Sequence, residues 1–538
     1  MRNKFNLIPV PPYYLLYFYS IEQLFNRIKK KGMKNLLLVS LVWCGLVTSA
    51  LAQGGTPDPS FGENGLAIWD NIGKTDAFYN MALSADGKIF LGGYTEDNTK
   101  TNTVFIQLDS KGQPNTAFGD NGKVIIDPNS TDGFAEDIIV DGNNVYVAYF
   151  SSLDDVFSGP IAKYDITGKL DTTFGESGIK NIMYTSFIYY PKALTIDNQE
   201  NLYILATRGG NFIVMKMDKN GVVDESFGDN GVFFHAFDAG FANVRDISLQ
   251  ADGSVLIVGE NFISSSTNPG SNLVIFRINP TGNLDETFNQ TGLKTIAYGD
   301  GKTYTGDKIF WSDQEEKVLI IGSQYTGIFD GLVLKLNRDG SNDNSFGDNG
   351  MVIIEEVSQP LYDGFKDLEG RYIVVGDDYV IRLTSTGEKD MSFGMNGIVS
   401  DNYNIYSAVM DAAGNYLVAG SYYNGNDLDG IVAKYYAENI SSSTKDAYNW
   451  LSDIELTPNP FVDHINISIY NQENLASANI VLYNMMGMEV FRSSVLDLNY
   501  GVNQVLIDKN LSGLVPQTYV LSIITKQGIT SQKITKIE

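Results

Sequence analysis

An eight-residue phrase, Asp171-Thr-Thr-Phe-Gly-Glu-Ser-Gly178, recurs seven times in variant form and constrains the fold more than any other feature. Its copies begin at Asp58, Asn115, Asp171, Asp224, Asp285, Asp343 and Asp390, and they place Phe61, Phe118, Phe174, Phe227, Phe288, Phe346 and Phe393 at one position. Intervals of 57, 56, 53, 61, 58 and 47 residues separate these phenylalanines. Such a period belongs to a supersecondary unit that cannot bury its apolar face alone and must stack on its neighbours.

Each period reads as four strands. A short one follows the second glycine, as in Lys123–Asp127 or Met351–Glu355. A hairpin comes next, marked by Asp-Gly between apolar alternations at Asp86-Gly87 and Asp252-Gly253, because glycine accepts positive φ without steric cost. The last strand is Val104–Leu108 in one copy and Ile431–Tyr435 in the final one. Seven four-stranded sheets bury both faces when arranged radially, so the spacing predicts an all-β chain with a seven-bladed β-propeller over residues 53–436. The phrase then reads as the link from one blade to the next. Its phenylalanine is a buried wedge between blades, and the first copy completes the joint after the last blade, with Phe61 between the two. Gln107, Lys163, Lys216, Arg277, Lys335, Arg382 and Lys434 share one position in the last strand. A basic column repeated in every unit reads as scaffold, each cation pairing with the aspartate of the phrase or packing over an aromatic ring. The competing reading is a ring of cations for an anionic ligand.

Composition removes several functions. Lys plus Arg number 38 against 64 Asp plus Glu, a net charge of −26 that repels phosphate backbones and anionic lipid. The one cysteine, Cys44, lies in an apolar segment near the start, and the two histidines, His235 and His464, are far apart in sequence. Thiolate catalysis, disulfides and clustered imidazole sites are therefore not expected. Paired acids at Asp154-Asp155, Glu315-Glu316, Glu355-Glu356 and Asp377-Asp378 alternate across a strand and do not face each other. No nucleophile elbow, phosphate loop or dinucleotide fingerprint occurs, and Trp69 and Trp311 read as packing. Asn424–Gly430 approaches a calcium loop in composition but has Leu428 where a ligand belongs, so no metal or cofactor is assigned and weak calcium binding stays open.

Lys29-Lys30-Lys31 and Lys34 precede an apolar run from Leu36 to Val47, and Ala50-Leu51-Ala52 follows. This is the pattern of a secretory signal peptide, with cleavage expected between Ala52 and Gln53. The run is too short for a membrane span of about 20 residues, so no transmembrane anchor is expected in the mature chain. Removing residues 1–52, which hold seven Lys/Arg and one Glu, takes the net charge from −26 to −32. Met33-Lys34-Asn35 also reads as a natural start, which leaves translation of residues 1–32 open.

Beyond Tyr436 the repeat stops. Residues 437–453 read as a polar linker, and residues 454–538 as six or seven short strands, a small Ig-like β-sandwich. Thr457-Pro-Asn-Pro460, Leu482-Tyr-Asn-Met-Met-Gly487, Leu511-Ser-Gly-Leu-Val-Pro516, Tyr519-Val-Leu and Gln532-Lys-Ile-Thr-Lys536 resemble, in order, the type A sorting domain of the type IX secretion system. Gln517-Thr518 departs from it, since the family usually has glycine before that tyrosine. The resemblance implies export in a Bacteroidetes-type cell through the type IX machinery, removal of the tail, and release or attachment at the outer surface. Gly168-Lys-Leu-Asp-Thr-Thr-Phe-Gly175 and its siblings resemble the delta-60 repeat family, which implies a propeller and brings no activity with it.

Function is less constrained. The leading expectation is a secreted or cell-surface module that binds a glycan or a protein without catalysis, with catalytic, metal and ligand residues unassigned. An extracellular glycan hydrolase or lyase with its site at the propeller mouth is the alternative. An adhesin or envelope component is a third.

Overall fold

The computed structural model describes residues 54–438 and 451–537, apart from 72–73, 98–99, 127–130, 154–155, 238–240, 264–269, 298–301, 460, 472–474, 485–488, 494–495, 499–500, 508–510, 512–513, 515–517 and 526–527. The expected cleavage site at Ala52 and Gln53, the segment carrying Cys44, the Asp154-Asp155 pair and most of the linker lie outside the described residues. Among the described residues every regular element is a strand. The chain divides between residues 440 and 441 into two compact units.

The first unit opens with β1 (Leu66–Trp69) and continues with sheet I, made of β2 (Asp76–Leu83), β3 (Ile89–Asp97), β4 (Lys100–Leu108) and β5 (Lys123–Ile126). Sheet II holds β6 (Asp132–Asp141), β7 (Asn144–Leu153), β9 (Pro160–Asp165) and β10 (Ile179–Asn181), with β8 (Val156–Ser158) beside β7. A small hairpin, β11 (Met183–Tyr184) and β12 (Phe187–Ile188), precedes sheet III, which is β13 (Tyr190–Ile196), β14 (Leu202–Arg208), β15 (Asn211–Met217) and β16 (Val232–His235). Sheet IV is β17 (Phe241–Leu249), β18 (Val255–Ile263), β19 (Gly270–Ile278) and β20 (Leu293–Ile296). In sheet V these are β21 (Thr303–Ser312), β22 (Lys317–Tyr325), β23 (Phe329–Asn337) and β24 (Met351–Ile354), and in sheet VI β25 (Leu361–Lys366), β26 (Tyr372–Gly376), β27 (Tyr379–Leu383) and β28 (Ile398–Ser400). Sheet VII joins both ends of the unit. Its strands β29 (Asn404–Met410), β30 (Tyr416–Tyr423) and β31 (Leu428–Tyr435) are completed by β1, with Leu66 opposite Ala433 and Trp69 opposite Gly430.

Within these sheets every strand ladder is antiparallel, and each sheet is apolar on both faces because both are covered. Seven separate cores fill the spaces between consecutive sheets. The core between I and II gathers Phe90, Phe105, Val145 and Val147, and the series closes between VII and I with Leu417, Val432, Phe78 and Leu91. This closed cycle is a β-propeller. The first strand of every sheet lies innermost, next to the first strands of its two neighbours.

The eight-residue phrase has a different place from the one its spacing suggests. It does not carry the chain from one sheet to the next. In the six copies from Asn115 onward it joins the third strand of a sheet to the fourth strand of the same sheet, as β4 to β5, with Val104 opposite Ile125, and the first copy leads into β1, the fourth strand of sheet VII. The reason is local. Left-handed residues at both glycine positions, such as Gly175 (φ 52°) and Gly178 (φ 99°), reverse the chain so that the short strand folds back on its predecessor. Asn289, in place of glycine in the fifth copy, adopts φ 49°. Passage to the next sheet happens later, from β5 to β6 and its equivalents.

The second unit has a three-stranded sheet, β32 (Leu451–Thr457), β33 (Ile465–Asn471) and β37 (Gly501–Ile507). Against it lies a sheet of β34 (Leu475–Asn484), β35 (Glu489–Arg492), β38 (Thr518–Thr525) and β39 (Gly528–Thr535), with β36 (Leu496–Leu498) beside β34. Alternating residues of both, among them Ile465, Ile467, Ile480, Leu482, Tyr519 and Leu521, form one core. Lys536 donates to the Val462 carbonyl and its ammonium stands 5.6 Å from the Phe461 ring centre.

Candidate functional site

The seven phenylalanines are all buried, each in one of the seven cores between sheets. Phe118 meets Phe90 and Phe105 of its own sheet edge-on, at 5.7 and 5.4 Å between ring centres, and reaches Val145 and Tyr164 of the next. Phe61 lies between Phe78 and Leu91 of sheet I and Leu417 and Val432 of sheet VII. Beside each phenylalanine the following N–H donates to a turn carbonyl of the neighbouring sheet. These bonds run Gly62 to Lys111, Gly119 to Thr167, Gly175 to Asn220, Gly228 to Thr281, Asn289 to Asp339, Gly347 to Thr386 and Gly394 to Gly54, all at 2.7–2.9 Å. The phrase therefore locks sheets laterally although it does not connect them along the chain.

Its basic column belongs to the same lock. Lys163 reaches Asp171 at 3.1 Å, Lys216 reaches Asp224 at 2.9 Å, Arg277 reaches Asp285 at 2.7 Å and Arg382 reaches Asp390 at 2.9 Å. Lys335 and Lys434 stand 3.8 and 3.5 Å from Asp343 and Asp58, and in the second copy Asn115 donates to Gln107. Several also bond across to the next sheet, as Lys163 to the Lys219 carbonyl at 3.2 Å and Arg382 to the Ala437 carbonyl. Arg277 and Arg382 lie 5.1 and 4.7 Å from the centres of Phe288 and Phe393. The hydroxyls of Thr173 and Ser226 hold the Asp171 and Asp224 carboxyls below their ordinary values. These cations serve the joint between sheets and do not form a common anion site.

Chemistry that differs from sheet to sheet sits elsewhere. Every innermost strand carries one β-bulge: between Phe78 and Asn80, Ala135 and Asp137, Pro191 and Ala193, Val244 and Asp246, Gly306 and Lys308, Leu361 and Asp363, and Ile405 and Ser407. A bulge leaves its extra residue unpaired and re-aims it. The residues so released, Tyr79, Glu136, Lys192, Arg245, Asp307, Tyr362 and Tyr406, line one cavity of about 230 Å³ to which all seven sheets contribute.

The ring has two halves. Tyr362, Tyr406 and Tyr79, from sheets VI, VII and I, form a continuous aromatic arc with centres 5.6 and 5.1 Å apart, and Tyr94 extends it at 5.8 Å. Opposite run Glu136, Lys192, Arg245 and Asp307. Glu136 pairs with Lys192, and Arg245 stands 3.7 Å from Asp307 and 3.4 Å from Glu260. Beneath them Lys308 lies 3.5 Å from Asp246 and 3.6 Å from Asp363. Burial works against its charge, but Asp246, Asp363 and Asp137 outweigh burial and raise its pKa above the ordinary value. Burial also pushes the Asp137 and Asp307 carboxyls up to about 6, against the pull of Lys308 on one and Arg245 on the other.

The lower acids have a second task. An innermost strand is a sheet edge, with backbone groups that another strand could pair. Asp137, Asp246 and Asp363 accept the N–H groups of Leu194, Ile309 and Ala408 at 2.7, 2.8 and 2.9 Å, in each case from the next sheet. Asn80 donates to the Glu136 carbonyl at 2.5 Å. Side chains thus cap the inner edges.

Repeat reading missed this ring because it followed what recurs. The signal was available in register. Tyr79, Glu136, Lys192, Arg245, Asp307, Tyr362 and Tyr406 each precede the turn residues Asp86, Asn143, Gln199, Asp252, Gln314, Glu369 and Ala413 by the same offset. The other candidates have local partners. His235 packs on Phe276 and Phe237 at 4.8 and 4.9 Å, His464 contacts Asp463 at 2.7 Å, and the Trp311 indole donates to Asp313 at 2.6 Å. Glu315 binds Lys335 and Lys366, Glu316 binds Arg338, and Asp377 accepts the Tyr362 hydroxyl. Among the described residues no three His, Cys, Asp or Glu side chains are grouped to hold a metal ion.

Comparison with known proteins adds the destination. Residues 455–537 match the secretion system C-terminal sorting domain, and residues 84–118 and 250–288 match a β-propeller domain of unknown function (DUF5122). A search of curated proteins finds no match. Among solved structures the chain is similar to PorZ, described as an essential bacterial surface component of the type IX secretion system of Porphyromonas gingivalis (12% identity, 86% of this chain and 59% of that one, TM-score 0.36). It is also similar to an extracellular domain from B. thetaiotaomicron (12%, 87% and 58%, TM-score 0.42) and to Drosophila Plexin A (9%, 74% and 90%, TM-score 0.41). The chain spans less than two thirds of the first two. It is a β-propeller protein with a secretion-system C-terminal sorting domain, and that domain marks it as secreted or held at the outer cell surface.

Proposed function

We propose that this protein is a non-catalytic binding module, a seven-bladed propeller of the delta-60 type that engages a glycan or protein ligand at the mouth of its central cavity. In this reading a signal peptide ending at Ala52 exports the chain in a Bacteroidetes-type cell. The Ig-like sandwich of residues 454–538 then hands it to the type IX machinery. One observation carries the reading. The side chains that differ between sheets converge on a single cavity, while those that repeat are consumed in holding the ring together. A hydrolase or lyase at the same mouth is the second reading, and the pairing of Glu136 with Lys192 and of Asp307 with Arg245 weighs against it, since neither acid stands free to move a proton. The test is a glycan and protein array probed with the secreted protein, with and without calcium, alongside Tyr406→Ala and Arg245→Met. Binding lost in both variants supports the reading. Binding unchanged in both, or turnover of a bound glycan, refutes it.

A further inference from the structure

The group recognised in the cavity follows from which of its atoms remain accessible, an argument that rests on the reading of the cavity as the ligand site. The cations face the lumen: side-chain exposure is 43% for Arg245, 36% for Lys308 and 28% for Lys192. Their acids stand behind them, with Glu136 at 16%, Asp307 at 12%, and Asp246 and Asp363 at 11%. A ligand therefore meets N–H donors first and needs oxygen acceptors. An anionic ligand would face Glu136, Asp137, Asp246, Asp307 and Asp363 against only three cations, and at short range that excess repels it. A cationic ligand would meet the exposed guanidinium and ammonium tips. The polar half selects an uncharged molecule rich in hydroxyl or carbonyl oxygens.

The tyrosine arc sets its shape. Consecutive rings 5.6 and 5.1 Å apart, inclined to each other by 46° and 68°, curve around one side of the cavity and offer apolar ring surface edged by hydroxyls, across the ring of sheets from the donors. A molecule with an apolar face and a rim of oxygens satisfies both halves. A peptide strand does not, because the inner edges it would pair with are capped by Asp137, Asp246, Asp363 and Asn80. A cavity of about 230 Å³ admits a small ring and no folded partner.

We infer that the cavity binds one uncharged pyranose residue of a glycan, its C–H face on Tyr362, Tyr406 and Tyr79 and its oxygens on Arg245, Lys192 and Lys308. The experiment is titration calorimetry of the secreted protein with methyl glycosides of glucose, galactose, mannose and N-acetylglucosamine, and with methyl glucuronide and methyl glucosaminide as charged counterparts. At least one neutral glycoside should bind. Tyr406→Ala should weaken it at least tenfold, and Tyr406→Phe, which keeps the ring and guards against misfolding, should weaken it less than threefold. The charged counterpart of a bound sugar should bind at least tenfold more weakly than the neutral one. The inference is overturned if no neutral glycoside binds, if the charged forms bind as tightly, or if Tyr406→Ala changes nothing. Should the array instead yield a protein whose binding Tyr406→Ala abolishes, this inference falls and the broader reading of the cavity stands. Array binding indifferent to the cavity variants removes both.

Discussion

Phe61→Ala tests the closure of the ring. Phe61 is buried between two sheets whose strands are fixed by full hydrogen-bond ladders, so the space left by its ring cannot collapse. Loss of a phenylalanine side chain at such a site costs roughly 3–5 kcal/mol. The Lys434 ammonium, 5.9 Å from the ring centre, adds about 0.5–1 kcal/mol. Phe227→Ala, between sheets III and IV, removes a comparable ring and serves as the control. The two should differ in where the damage appears. In sheet III the third and fourth strands are joined covalently through the phrase, whereas in sheet VII β1 is held to β31 by contacts alone. Urea unfolding should therefore report similar losses, while hydrogen exchange should show Leu66–Trp69 opening selectively in Phe61→Ala. A cost below about 1 kcal/mol, or exchange that rises evenly around the ring, would refute the seam.

Arg382→Met should lower stability by roughly 3–5 kcal/mol in calorimetry, because the fully buried guanidinium holds Asp390, Ser392 and the Ala437 carbonyl together. The variant Asp171→Asn probes the opposite pH limb. Its folded pKa lies below the ordinary value, so its contribution is present above about pH 4 and disappears as pH falls through the folded value. A loss of roughly 0.5–1.5 kcal/mol at pH 7 that fades as pH falls below the ordinary carboxyl value is expected. Asp307→Asn should do the reverse. A carboxyl raised from 3.8 to about 6 favours the folded state below pH 4 and loses that advantage as pH rises through 6, so the asparagine should stabilise by roughly 2–3 kcal/mol at pH 7.5 and by nothing near pH 4. Thermal melts from about pH 2 to 8 check both.

What recurs in a sequence reports scaffold, and scaffold was readable. The recurrence of the phrase from Phe61 to Phe393 marks a repeated multi-stranded unit, and the basic column announces its own pairing with the aspartates of the phrase. The connection itself was misread because the short strand after each phrase is too brief to reveal its partner. Lys123–Ile126 alternates equally well as the first strand of one sheet or the last of another, and only the ladder to Val104 decides. The cavity was harder for a physical reason. A bulge is set by a one-residue mismatch between two strands, a property of the pairing that no single residue carries, and Tyr79, Glu136 and Lys192 share no chemistry that would mark their common position.

The seam has a consequence for the order in which the ring forms. Leu66 must find Ala433 across nearly the whole unit, and closing that span costs a flexible chain roughly 3 kcal/mol more than the short span from Ile106 to Lys123. Sheet VII is therefore the last to be completed, and until then the outer edge of β31 is a bare strand edge. In a dilute copy that edge has one suitor, its own β1. Where many unfinished chains crowd together, as at a membrane they are crossing, the Leu66–Trp69 strand of a neighbour fits equally well. Strand exchange between copies, rather than loss of any blade, is the characteristic failure this architecture must outrun.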